Sequence, residues 1–100
     1  MTQGNMPVYQ IVDLDVHDAD LYARYVAQVG NIVNRYGGRY LARGGKVTPL
    51  SGDWQPVRLV LIEFDSLEQL QQCYASPEYR EIAPWREQSS QSRSIVVEGL

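Results

Sequence analysis

Three ionisable side chains stand inside otherwise apolar segments. Arg43 closes Arg39-Tyr40-Leu41-Ala42-Arg43, while Arg58 and Glu63 mark the two ends of Arg58-Leu59-Val60-Leu61-Ile62-Glu63-Phe64. A carboxylate withdrawn from water must find a donor or lose its charge. A buried Glu63 therefore calls for a cation, and Arg43 on the neighbouring strand is the expected partner. Such a pair suits an acidic or carbonyl-bearing ligand, with Glu63 as general base and Arg43 steadying the negative oxygen that develops. The same pair also serves a purely structural end, fixing sheet register or the contact between two copies. Arg58 is expected to clamp the preceding turn by stacking on Trp54 or pairing with Asp53, with ligand contact as its alternative use. Arg86, one turn beyond Ile82, either grips an anion as a fork at a pocket mouth or caps loop carbonyls. Tyr9 and Tyr40, on expected strands, are the tyrosines placed to line a pocket. Tyr22, Tyr25, Tyr36 and Tyr74 fall on helical apolar faces and read as core with wet hydroxyls.

Other chemistries find no support. His17 is the sole histidine, and a metal site wants three or four ligands. It precedes a helix cap, an exposed place. Cys73 sits among apolar neighbours with no basic cluster beside it and reads as a structural thiol. No dinucleotide fingerprint, phosphate-binding loop or nucleophile elbow occurs, and Gly37-Gly38 and Gly44-Gly45 are explained by a helix cap and a bulge. No cofactor and no metal are expected.

The elements that position these groups follow from periodicity. Val8 to Val16 alternates and is rich in Val and Ile, a first strand. Asp18 is an N-cap, and apolar residues spaced by three and four from Leu21 to Tyr36 make an amphipathic helix over Ala19 to Tyr36. Gly37 supplies its left-handed C′ residue. A second strand is expected over Arg39 to Leu50, broken near Gly44-Gly45, then a turn over Ser51 to Pro56 and a third, central strand over Val57 to Phe64. Ser66 with Gln69 forms a capping box for a short helix. Ser76-Pro77 starts another, which Pro84 is expected to kink or split. Ser89 to Ser92 reads as a connector and Arg93 to Glu98 as a final strand.

The order β-α-β-β-α-β is that of a ferredoxin-like α+β sandwich, a four-stranded antiparallel sheet with its helices on one face. The other face is too apolar to stay wet, so a homodimer is expected. One hundred residues make a single domain, with residues 1–7 expected as a flexible lead. A net charge of −3 argues against nucleic acid. One cysteine points to a reducing cytoplasm. The N-terminus lacks a basic start and an apolar core, so no signal peptide is expected, and no apolar run reaches the length of a membrane span.

With this order, the combination of Tyr25, Gly37-Gly38-Arg39-Tyr40, Arg43-Gly44-Gly45, Gly52-Asp53-Trp54, Arg58 and Glu63-Phe64 resembles the domain of unknown function family 1330 (DUF1330). Tyr74-x-Ser76-Pro77-Glu78-Tyr79, Arg86 and Val97-Glu98-Gly99 extend the likeness across Val8 to Gly99. The chain departs from the family pattern at Ser51, where an acidic residue is usual before Gly-x-Trp. The resemblance implies a dimeric α+β barrel in which two sheets face each other, and it implies no common reaction. Superfamily relatives include cofactor-independent monooxygenases, an analogy from fold alone.

Two functional expectations follow. One is a dimeric protein that binds a small anionic or carbonyl-bearing metabolite between sheet and helices. It would centre on Arg43 and Glu63, assisted by Arg58, Arg86, Tyr40 and Tyr9, and any catalysis would be cofactor-free proton transfer or oxygenation. The other is a non-catalytic structural or interaction protein whose buried charges only fix the dimer. A ligand-sized cavity beside these groups favours the first.

Overall fold

The computed structural model describes residues 6–100; most of the expected flexible lead lies outside the described residues, although the Pro7 carbonyl is tied down by the N–H of Gly99 at 2.7 Å. Seven elements follow in the order β1 (Val8–Val16), α1 (Ala19–Arg35), β2 (Arg39–Arg43), β3 (Arg58–Phe64), α2 (Leu67–Ala75), α3 (Pro77–Ser89) and β4 (Ser90–Glu98). The strands form one antiparallel sheet in the order β2-β3-β1-β4, the arrangement expected of the ferredoxin-like α+β class.

Strand side chains alternate between the sheet's two faces. Val8, Val12 and Leu14 of β1 and Val60, Ile62 and Phe64 of β3 are buried against Tyr25, Val29, Ile32 and Val33 of α1 and against Cys73, Tyr79 and Ile82 of α2 and α3. The opposite face carries Ile11, Leu59, Leu61, Ile95 and Val97 and has no helix over it; Ile95 is 65% and Val97 49% exposed.

Helix ends follow their caps. The Asp18 carboxylate accepts from the N–H of Leu21, Ser66 from that of Gln69 and Ser76 from that of Tyr79. At the end of α1, Gly37 at φ 85° lets the Gly38 N–H reach the Val33 carbonyl and the Gly37 N–H that of Asn34, the paired bonds of a Schellman stop. Gly38 is also a close approach: a Cβ there would lie 2.5 Å from Val33 Cγ1 and 2.8 Å from Phe64 Cε1.

Four expectations need correction. The second strand stops at Arg43 rather than Leu50, because β3 begins only at Arg58 and nothing lies opposite the chain beyond Gly44. The connection is thus a long loop from Gly44 to Val57, not a tight turn. The third strand is internal, as expected, while β2 lies at the edge of the sheet. Ser90 to Ser92, read as connector, belong to β4 through pairing with β1. Finally, Pro84 does not split its helix, since α3 runs as one element from Pro77 to Ser89. Arg80, whose carbonyl Pro84 cannot engage, and Pro84 itself are both exposed residues.

Candidate functional site

A cavity of about 290 Å³ lies between the helices and the covered face of the sheet, close to the lower end of ligand-pocket sizes. Val12, Val60 and Ile62 form its floor. Five tyrosines (Tyr22, Tyr25, Tyr40, Tyr74 and Tyr79) give most of its wall, and Arg43 and Arg86 supply charge. Among the described residues no carboxylate, imidazole or thiol lines it.

Arg43 reaches this cavity through a bulge. Arg39 pairs with Glu63 and Tyr40 with Ile62, but the register then slips, so that Ala42 faces Leu61 and Arg43 faces Val60. Leu41 is the inserted residue. Strict alternation would set Arg43 on the side of Arg39 and Glu63; the bulge turns it to the covered face instead. There its guanidinium carbon lies 4.7 Å from the centre of the Tyr40 ring, a cation–π contact.

The expected Arg43–Glu63 pair is therefore absent. Glu63 points to the open face, opposite its buried neighbour Phe64, and its cation is Arg39, with Nε 3.1 Å from Oε1. Arg39 also holds Asp65 at 2.9 Å. Tyr9 stands opposite Glu63 on that same open face, outside the cavity it was expected to line, and the neighbouring carboxylate raises its hydroxyl above the ordinary pKa. Arg58 does not clamp the turn. Its Nε donates to the Tyr22 hydroxyl at 3.3 Å, with the guanidinium 5.4 Å from that ring centre. The close approach that Arg58 makes to Gly44 leaves no room for a Cβ at φ 76°. Trp54 reaches instead to Asp13, Nε1 donating to Oδ2 at 3.3 Å, beside Arg93 at 3.2 Å.

Arg86 is the deeper cation. Its Nη1 donates to Ser92 Oγ at 2.6 Å, and its buried Nε has no partner, an unmet donor that costs about 1–3 kcal/mol. Burial works against its charge, but Tyr79 and Tyr25 beside it hold its pKa above the ordinary value. The tyrosines are linked: Tyr25 Oη and Tyr79 Oη are 3.0 Å apart, and Tyr74 Oη donates to Gln10 Oε1 at 2.6 Å. Their rings meet edge to face, with Tyr74 and Tyr79 centres 4.7 Å apart. Of the helical tyrosines expected to be core with wet hydroxyls, Tyr22, Tyr25 and Tyr74 line the cavity with their hydroxyls bonded to Arg58, Tyr79 and Gln10, while the Tyr36 hydroxyl donates to Glu78 outside it. From the sequence, Tyr79 figured only in the family resemblance and Gln10 not at all. The alternation of Gln10 with buried Val8 and Val12 was the available signal for a polar group on the covered face.

Burial, reinforced by Tyr79, pushes the Tyr25 hydroxyl far above its ordinary pKa, and burial does the same at Tyr74. Tyr40 is pushed up to about 12 by burial, against the pull of Arg43. The three are neutral donors at neutral pH, not bases. Cys73 is buried, and burial pushes its thiol up to about 11. One outcome is measurable. An unfolded tyrosine ionises near 10.0, whereas these hold their protons to higher pH, so the unfolded state sheds protons first as pH rises. Stability should begin to fall from about pH 9, where an unfolded thiol ionises before the buried Cys73, and more steeply above about pH 10, by about 1.4 kcal/mol per pH unit for each such tyrosine. Urea midpoints followed to about pH 11.5 test this, and a midpoint that stays level throughout would mean that the hydroxyls are wet.

Among the described residues no helix is long and apolar enough to cross a membrane, and no group of three or more potential metal ligands occurs. The family model described as Domain of unknown function (DUF1330) matches residues 7–100. No curated protein matches the sequence. Solved structures do. RPA0582, a protein of unknown function from Rhodopseudomonas palustris, superposes with a TM-score of 0.79 at 23% identity, covering 96% of this chain and 84% of that one. SnoaB, a cofactor-independent oxygenase from Streptomyces nogalater, gives 0.68 at 15% identity, with 95% and 94% covered. A dimeric ferredoxin-like protein of unknown function from Thermobifida fusca gives 0.67 at 11% identity, with 99% and 96% covered. At such identities the likeness establishes the fold.

Proposed function

The chain belongs to the DUF1330 family, and from that premise we propose that it binds a small anionic or carbonyl-bearing metabolite in the cavity between helices and sheet. The observation that carries this reading is that Arg43 and Arg86 line one cavity with no carboxylate among its described lining residues. Two uncompensated cations, one of them with an unmet buried donor, favour an anion there. The tyrosine walls add apolar area and neutral hydroxyl donors.

Glu63 has no part in this site, because it faces the other side of the sheet. With no base lining the cavity, any reaction starts from a substrate acidic enough to arrive ionised. The guanidinium groups would hold the negative oxygen of such an enolate or phenolate. Cofactor-independent oxygenation, the activity that SnoaB is named for, is the reaction class that fits, and it stands here as analogy. Thermal-shift measurements with small carboxylates, enolisable diketones and neutral phenols test the binding. Acids or diketones should raise the melting temperature, and Arg86→Gln should lose that response. If neutral phenols stabilise both proteins equally well, the reading fails.

The same fold supports a second copy over the open face. Ile11, Leu59, Leu61, Ile95 and Val97 make it apolar, and the similar Thermobifida protein is described as dimeric. In that arrangement Arg39, Glu63, Asp13 and Arg93 are interface charges, which is where the structural reading of the charged residues finds its place. Sedimentation at micromolar concentration should show a dimer, and a monomer would remove this part of the proposal. A cytoplasmic location fits a lone buried thiol.

A further inference from the structure

The sheet register gives the cavity a direction. Arg43 stands opposite Val60, Val60 opposite Val12, and Val12 opposite Ser94. These four side chains form one row across all four strands, and all four line the cavity. The row is polar at its two ends and apolar between them.

Each end carries a cation. At the β2 edge Arg43 lies over Tyr40 and against Gly30 of α1, where a Cβ would stand 3.5 Å from Nη1. At the opposite edge Arg86 is anchored to Ser92, two residues from Ser94 and so on the same face of β4. Strands neighbour one another at about 4.8 Å, which puts the β2 and β4 backbones roughly 14 Å apart. The two guanidinium groups therefore enter from opposite edges, over a floor of Val60 and Val12. A ligand with one acidic group satisfies one cation and leaves the other uncompensated.

We infer that the site is built for an elongated ligand lying across the strands, with an anionic group at each end and an apolar middle, as in a small dicarboxylate. The inference rests on the anion-binding reading above and narrows it to a ligand class. Arg86, half-buried and tethered to Ser92, is the fixed anchor for one end. Arg43, exposed on an edge strand, receives the other.

Isothermal titration calorimetry on the full chain, with terephthalate and adipate set against benzoate and hexanoate, tests it. Each diacid should bind at least about tenfold more tightly than the monoacid of matching skeleton. Arg43→Gln and Arg86→Gln should each bring the diacid close to the affinity of that monoacid. If Arg86→Gln fails to fold, the exposed Arg43→Gln carries the comparison. Diacids and monoacids binding equally well would overturn the two-ended site and leave anion binding standing. No binding by any of the four acids would overturn both.

Discussion

Phe64→Ala is expected to lower the free energy of unfolding by about 3–5 kcal/mol, a large share of the 5–15 kcal/mol typical of a domain. Phe64 is fully buried at the end of β3. Its ring lies beneath Gly38, where even a methyl group would collide with it, and meets Tyr74 at a tilt with centres 6.2 Å apart. It therefore fills the junction of the α1 exit, the end of β3 and the wall of the cavity. Rigid neighbours on several sides, among them Val33 held by the Schellman turn, leave little freedom to collapse into the gap, which puts the cost near the upper part of that range. Urea denaturation measures it through the midpoint at unchanged slope. A loss under about 1.5 kcal/mol would mean that the junction closes over the missing ring.

This junction was legible in the sequence because each signal in it is local. Gly37 marks a helix stop by its own conformational freedom, and Phe64 is buried because the capped helix starting after Ser66 must fold back over it. The same holds for the caps at Asp18 and Ser76. The long loop was harder to see, because Val47 to Leu50 carries strand-like residues, and whether they pair depends on where β3 begins. That is a property of a partner strand, not of the segment itself.

The site residues divide along the same line. Arg43, Tyr40 and Arg86 were picked out and do meet at one cavity, but the reason given for Arg43, its pairing with Glu63, fails. A single inserted residue, Leu41, separates the two side chains onto opposite faces. Alternation of side chains survives any propensity estimate and yet is reversed by one bulge. The glycine pair after Arg43 drew attention as the break, whereas the slip occurs earlier, at a leucine that has nothing unusual about it. With the bulge in place the charges sort into two sets. Arg43 and Arg86 face the cavity. Arg39, Glu63, Asp13 and Arg93 face the open side of the sheet, where Arg39 pairs with Glu63 and Arg93 with Asp13 across strands. The proposed ligand binding and the proposed assembly are therefore separable by mutation. Glu63→Gln bears on the open face, and substitutions at the cavity floor bear on the ligand.

The sharpest of those is Val60→Phe. Val60 is buried at the centre of the row between Arg43 and Val12 and its side chain lines the cavity. A phenyl ring there projects into about 290 Å³ of open space rather than into packed neighbours, so the overpacking cost of a filled core is largely avoided. The added apolar burial contributes about 0.8 kcal/mol per methylene equivalent. The variant should then melt at or above the temperature of the parent while losing binding of any acid that the parent takes up. That combination is the mark of a cavity kept open at the expense of stability. Loss of binding with a fall in melting temperature would point instead to a floor already packed. A variant that melts higher and still binds its acid unchanged would place the ligand outside this cavity and take the functional reading with it.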